Sequence, residues 1–205
     1  SLKDFSDERP EVAARYYGKL ATSSKNGIVA LNTMFAQDGF VVYVPQGVAV
    51  ERPIQLVNIF RSDVDLMASR RVLVIMEPRS EVKLLVCDHS IDTVRFLANQ
   101  VIEVFVGEGA SFDYYDLEES SDTTTRFSSL FVKQEAESNV VINGITLTNG
   151  LTRNDYQVEL LGERAETTLC GMSILDKEQH VDTYTHITHA VPRCKSNELF
   201  KNVLN

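Results

Sequence analysis

From residue 28 onward the chain alternates apolar and polar side chains in short runs. Phe40 to Val44, Arg71 to Met76, Val101 to Val106 and Asp155 to Leu160 are rich in β-branched and aromatic residues, as half-buried strands are. Ahead of them the period changes. Val12, Tyr16 and Leu20 recur every four residues, Pro10 suits a first turn and Ser6 or Asp7 supplies a cap, so one short helix is predicted over 5–20. No amphipathic helix is predicted after residue 28. Similar corners follow the strands: Glu77 to Ser80, Gly107 to Ala110, Glu135 to Ser138 and Gly162 to Ala165 each pass through a polar or glycine turn to a small residue at the fourth place. Those small residues recur at intervals of 30, 28 and 27. A period of that length marks a solenoid, whose turns bury their apolar faces only by stacking on one another. The competing reading is a β-sandwich, for which Asn149-Gly150 between two strand-like runs is a hairpin signal.

Size and charge narrow the function. A chain of 205 residues with 43% apolar content can bury a real core, and one domain is expected. A formal charge of −9 leaves no basic stripe, which disfavours nucleic acid and anionic membrane as partners. No run approaches the roughly 20 apolar residues of a membrane helix, and the first residues lack a signal-peptide core, so a cytoplasmic location is expected. Cys87, Cys170 and Cys194 are too few and too widely spaced for a disulfide framework, and reduced thiols are expected. The chain has no initiating Met and ends soon after a polar, specific segment, as a piece of a longer protein would.

That segment holds the candidate chemistry. If residues 180 to 189 form a strand, His180, Asp182, Tyr184 and His186 share one face and His189 points to the other. Imidazole and carboxylate are ligands for zinc or ferrous iron, and Cys194 beyond Pro192 is a soft candidate ligand. The plainer alternative makes His180 and Asp182 a hydrogen-bonded pair on a polar strand, with no tightly bound metal. Elsewhere the signals are weaker. Cys87, Asp88 and His89 read as two edge residues flanking a core thiol, the acidic run Asp116 to Asp122 as a solvated turn, and Cys170 as a small core residue. No phosphate loop, dinucleotide fingerprint or nucleophile elbow is present.

Two segments carry a family resemblance. The run from Ala30 through Asn32, Thr33, Phe35, Gln37, Asp38, Gly39, Tyr43, Pro45 and Gly47 to Val48 is similar to the β-helix entry of the SufB/SufD proteins of iron–sulfur cluster assembly. His180, Asp182, Thr185, His189, Ser196, Leu199 and Lys201 resemble the segment that closes the same β-helix. The resemblance is nearer to SufD and spans almost the whole chain. It implies an all-β fold, a flattened right-handed parallel β-helix over 28–205 preceded by a helical segment over 1–27. It also implies a non-enzymatic scaffold subunit working with a SufB-like paralogue and a SufC-like ABC ATPase, with no resident cofactor and a transient iron–sulfur cluster in the full complex. Relatives continue into a further Cys/His motif and a C-terminal helical domain that docks the ATPase, and neither is present here. With that end open, association into a homodimer is expected. The rival reading is a metal-dependent hydrolase or lyase using His180, Asp182 and His186.

Overall fold

The structure is a computed structural model that describes residues 1–22, 26–92 and 94–205. Twelve strands wind into two parallel sheets, so the solenoid expectation holds and the sandwich falls. Sheet A stacks β1 (Gly39–Val44), β3 (Leu66–Met76), β5 (Phe96–Val106), β7 (Thr124–Gln134), β9 (Leu151–Leu160) and β11 (His180–His189). Sheet B stacks β2 (Ile54–Phe60), β4 (Glu81–Ser90), β6 (Ser111–Glu119), β8 (Asn139–Thr148), β10 (Glu166–Leu175) and β12 (Lys195–Leu204). Each rung contributes one strand to each sheet. Asn149-Gly150 joins β8 to β9 across the two sheets instead of forming a hairpin, and a Cβ on Gly150 would lie 2.4 Å from the Asp122 carbonyl oxygen of the stacked rung.

The corner from sheet A to sheet B explains the repeat. Its third residue is left-handed in every rung: Gly47, Arg79, Gly109, Glu137, Arg164 and Arg193 have φ between 58° and 72°. That conformation costs an L-residue about 1–2 kcal/mol. It turns the backbone N–H along the solenoid axis, where Gly47, Arg79, Gly109 and Glu137 donate to the carbonyls of Pro78, Glu108, Ala136 and Glu163 one rung on, at 2.8–3.0 Å. The fourth residue turns inward, and Ser80, Ala110, Ser138 and Ala165 are buried there as the spacing predicts. Ser80 and Ser138 donate their hydroxyls back to the carbonyls of Glu77 and Glu135 at 2.7 and 2.6 Å.

Within the rungs, alternate side chains point into the solenoid. One half of the interior is apolar, built from residues such as Val74, Val104, Leu130 and Val158 of sheet A facing Leu84, Phe112, Ile142 and Leu169 of sheet B. The other half is polar.

The N-terminal region departs from expectation. The single helix over 5–20 is two helices, α1 (Leu2–Glu8, capped by Ser1) and α2 (Pro10–Tyr16), because a residue before proline is driven out of the helical region and Arg9 sits at φ −135°. A third helix, α3 (Gly27–Phe35), lies where strands are predicted to begin; Asn26 caps it, accepting from the N–H groups of Ile28 and Val29. These helices cover the outer face of sheet A. Leu2, Phe5, Val12 and Tyr16 pack on Leu73, Ile75 and Phe105, while Leu20, Ala21 and Val29 pack on Val101 and Phe131.

Close stacking at the corners makes a clear prediction. A Cβ on Gly162 would lie 1.9 Å from the Ala136 backbone nitrogen, so Gly162→Ala must push two rungs apart. A loss of at least about 2 kcal/mol is expected in urea unfolding, within the range for overpacked sites. Cys194→Ser, by contrast, places at the last corner the residue that Ser80 and Ser138 already supply, and should shift stability by less than about 0.5 kcal/mol.

Candidate functional site

The histidine strand forms as predicted, as β11 of the last rung. In the parallel register His180, Asp182, Tyr184 and His186 lie beside the outward residues Leu151, Arg153, Asp155 and Gln157, whereas His189 lies beside the inward Leu160. The face assignment therefore holds and the expected His180–Asp182 pair does not. Asp182 accepts from the Arg153 guanidinium directly beside it, which also lies 5.5 Å from the Tyr184 ring centroid. A charged neighbour on the adjacent strand outcompetes an imidazole two residues along, since Cβ atoms across strands lie only about 5 Å apart. His180 is tied in through its backbone: its N–H donates to the Gly150 carbonyl and its carbonyl accepts from Asn149 Nδ2 at 2.8 Å. His186 Nε2 lies 3.2 Å from Thr188 Oγ1 and its ring stacks parallel to Tyr184.

Cys194 is the fifth small corner residue, 29 positions after Ala165 and next to the left-handed Arg193. Its thiol donates to the Gly162 carbonyl oxygen at 3.3 Å, closing the corner. Among the described residues no group of three or more His, Cys, Asp and Glu side chains converges on a point where a metal would sit. His180, Asp182, His186, His189 and Cys194 are thus distributed over an outer face, an inner face and a corner.

At the open end, the inner face of the last rung is exposed. Thr185 donates to Glu198 at 3.2 Å, His189 Nε2 lies 3.0 Å from Ser196 Oγ, and a groove of about 260 Å³ is lined by Val181, Thr183, Thr185, Phe200 and Asn202. Imidazole, carboxylate and hydroxyl groups meet there in two separate hydrogen-bonded pairs.

Deeper inside lies a charged cluster that sequence reasoning missed. Asp88 is fully buried and is clamped by two guanidiniums, Arg70 (2.5 and 2.8 Å) and Arg126 Nε (2.7 Å). Arg126 also holds Asp116 through Nη2 at 2.6 and 2.8 Å and donates to Asn154 at 3.2 Å. Glu118 accepts from Ser120, Thr146 and Thr152 at 2.8–3.3 Å. The Cys87–His89 trio is thereby reversed, with Asp88 inward and His89 outward, 3.1 Å from Glu119. Cys87 is buried as expected, but on the side of β4 opposite Asp88, with Gln55 Nε2 3.6 Å from its sulfur. The acidic run is likewise no solvated turn, because Asp116 and Glu118 occupy the inward positions of β6. Cys170 faces outward, half-buried. The available signal was alternation: Asp116 and Glu118 continue the inward phase of Phe112 and Tyr114.

Three carboxylates face two guanidiniums here, Asp88, Asp116 and Glu118 against Arg70 and Arg126, so full ionisation would leave one buried negative charge. Of the three, Glu118 lies farthest from a guanidinium. Burial pushes its carboxyl above the ordinary range, and Arg126, 4.0 Å away, and the hydroxyls offset that only in part. Burial also pushes Asp88 upward, but Arg70 and Arg126 outweigh it and hold that carboxyl well below the ordinary range. Burial drives the Tyr114 and Tyr156 hydroxyls upward, and Asp116 adds to both shifts.

Removing Arg126 would strand Asp116 in the interior and leave Asp88 with Arg70 alone, so Arg126→Ala should destabilise the chain by about 3–5 kcal/mol in chemical denaturation. The two shifted carboxyls act in opposite directions. Glu118 binds its proton more tightly when folded, so its contribution is complete below its ordinary value of 4.5 and is lost as pH rises through the folded value. The Asp88 contribution is present above its ordinary value of 3.8 and is lost as pH falls through the folded one. Urea midpoints measured against pH should therefore show a decline above about pH 4.5 that disappears in Glu118→Gln.

Comparison with known proteins fits this architecture. Residues 59–205 match the SufBD core domain of SUF-system iron–sulfur cluster assembly, and residues 1–56 match the SufBD N-terminal region. The chain is 30% identical over 182 residues to Protein ABCI7, chloroplastic, of Arabidopsis thaliana, covering 85% of this chain and 38% of that protein. It is 24% identical over 200 residues to the iron–sulfur cluster assembly protein SufB of Bacillus subtilis, covering 96% and 42%. A SufBD family protein of Synechocystis is 25% identical over 206 residues, covering 95% and 45%. The chain thus spans less than half the length of these relatives. With family models matched on either side of residue 57 and a parallel solenoid between two diagnostic segments, this chain belongs to the SufBD family of iron–sulfur cluster assembly proteins.

Proposed function

We propose that this chain is the solenoid core of a SufD-like, non-enzymatic scaffold subunit that works with a SufB-like paralogue and a SufC-like ABC ATPase. The nascent iron–sulfur cluster is cargo of the whole complex and not a resident cofactor of this chain. The observation that carries the reading is the match of both family regions across a six-rung solenoid. The lack of a phosphate loop supports assigning ATP hydrolysis to another subunit. The metalloenzyme alternative needs His180, Asp182 and His186 on one ion, and the engagement of Asp182 by Arg153 counts against it. No described helix is long and apolar enough to cross a membrane. The proposed compartment is the cytoplasm, although one relative is named as chloroplastic.

Co-expression of the longer gene product with its SufB-like and SufC-like partners tests this. Co-elution of the three subunits is expected, together with transfer of a reconstituted cluster to an apo acceptor that is lost when this subunit is omitted. The 205-residue chain alone should hold zinc or ferrous iron far below one per chain, since a complete site needs about four ligands. One tightly bound metal per chain, lost in His180→Ala or His186→Ala, would overturn the reading in favour of the enzyme.

A further inference from the structure

The two sheets differ on their outer sides. Sheet A carries the N-terminal helices, whereas nothing among the described residues covers the outer face of sheet B. In register, one outward column of sheet B reads Val57, Cys87, Leu117, Ile145, Met172, Lys201, and the next reads Gln55, Leu85, Tyr115, Asn143, Cys170, Leu199. A third runs Ile59, His89, Glu119 in β2, β4 and β6, and beyond the register shift at Glu118/Glu119 Ile174 and Val203 lie side by side in β10 and β12. Val57, Ile59, Leu199 and Val203 are 50–59% exposed. At about 4.8 Å between strands and 7 Å between columns the face measures roughly 29 by 20 Å. Exposed apolar side chains clustered on one face, here interrupted by Gln55, Asn143, Lys201, His89 and Glu119, mark an interaction site.

We propose that this face binds the same face of a second copy, about a twofold axis parallel to the strands. Such an axis keeps each column on itself and reverses the rungs, so β2 meets β12, β4 meets β10 and β6 meets β8. Leu117 then meets Ile145, and Ile59 meets Val203. Cys87 meets Met172 and Leu85 meets Cys170, a small side chain opposite a large one in both columns. Lys201 falls at the end of its column opposite Val57, where its stem lies on the valine and its ammonium reaches water. His89 and Glu119, in the third column, satisfy each other. The other in-plane twofold, along the solenoid axis and between the first two columns, would set Asp113 against Glu119, like charge on like. Two copies would together bury on the order of 1,200 Å², the lower bound for a specific interface, which fits a reversible dimer. The interface is self-matching, as a twofold contact must be. It differs from association through the open edge of the last rung, the site expected from sequence.

Light scattering on the 205-residue chain over a dilution series decides the matter without any partner protein, and so independently of the assembly reading. A dimer at tens of micromolar, roughly, that dissociates on dilution is expected. Met172→Glu and Ile174→Glu, on β10 and away from the open edge, should weaken association at least 100-fold, with thermal midpoints unchanged at dilutions where the wild type is itself monomeric. Met34→Glu, 71% exposed on α3, should leave it intact. A wild-type chain monomeric at every concentration, or a dimer that survives both β10 substitutions, would overturn the proposal.

Discussion

Everything in this molecule depends on one constraint, that the backbone of each rung must register on the next at strand spacing. No rung has a core of its own. Its inward side chains are buried only because the rungs above and below cover them, and the corner is where the chain must bend without breaking contact. The left-handed corner residues, four of them neither glycine nor asparagine, are the cost of aiming an N–H at the neighbouring rung. The small residue that follows each one lets the walls approach, and Cys194 belongs to that series.

Stacking also dictates what the interior can hold. Stacking sets residues of adjacent rungs side by side, so polar positions can run in a column along the interior. Asn58, Asp88, Glu118, Thr146, Ser173 and Asn202 form one such inner column, facing a column that includes Gln100, Ser128, Asn154 and Thr183. The Arg126 cluster sits midway along it. An apolar core of the same volume would be at least as stable. What the charges add is discrimination, because a slip of one rung would strand two guanidiniums and three carboxylates. The column runs on to the exposed groove at the open end, so the polar half of the interior is continuous with the surface that holds His189 and Glu198.

The two segments that resemble the family do structural work here. Asn32 is fully buried and donates to the backbone carbonyls of Arg70 and Asn99, on two successive rungs, at 2.9 and 3.0 Å. Beside it Glu103 accepts from Arg71 and from the N–H groups of Gly18, Leu20 and Ala21, all within 3.0 Å. The N-terminal segment is thereby locked over sheet A. At the other end, His189 with Ser196 and Thr185 with Glu198 tie β11 to β12. Both segments are legible as motifs because each forms ties that few other side chains could make.

The sequence alone determined the architecture. Alternation marked the strands, and the spacing of Ser80, Ala110, Ser138 and Ala165 set the rung length, because both are local consequences of backbone geometry. It also determined the faces of the histidine strand, since a period of two needs no knowledge of neighbours. Partners across rungs were decided only by the fold. Asp182 turned to Arg153 and away from His180, and Asp88 of β4, Asp116 of β6 and Arg126 of β7, with 10 residues between the nearest two and 38 between the farthest, met inside. Local sequence treats a charge as a surface residue, because burying one is prohibitive unless a counter-charge waits, and that counter-charge lies on another strand, 10 to 38 residues along the chain.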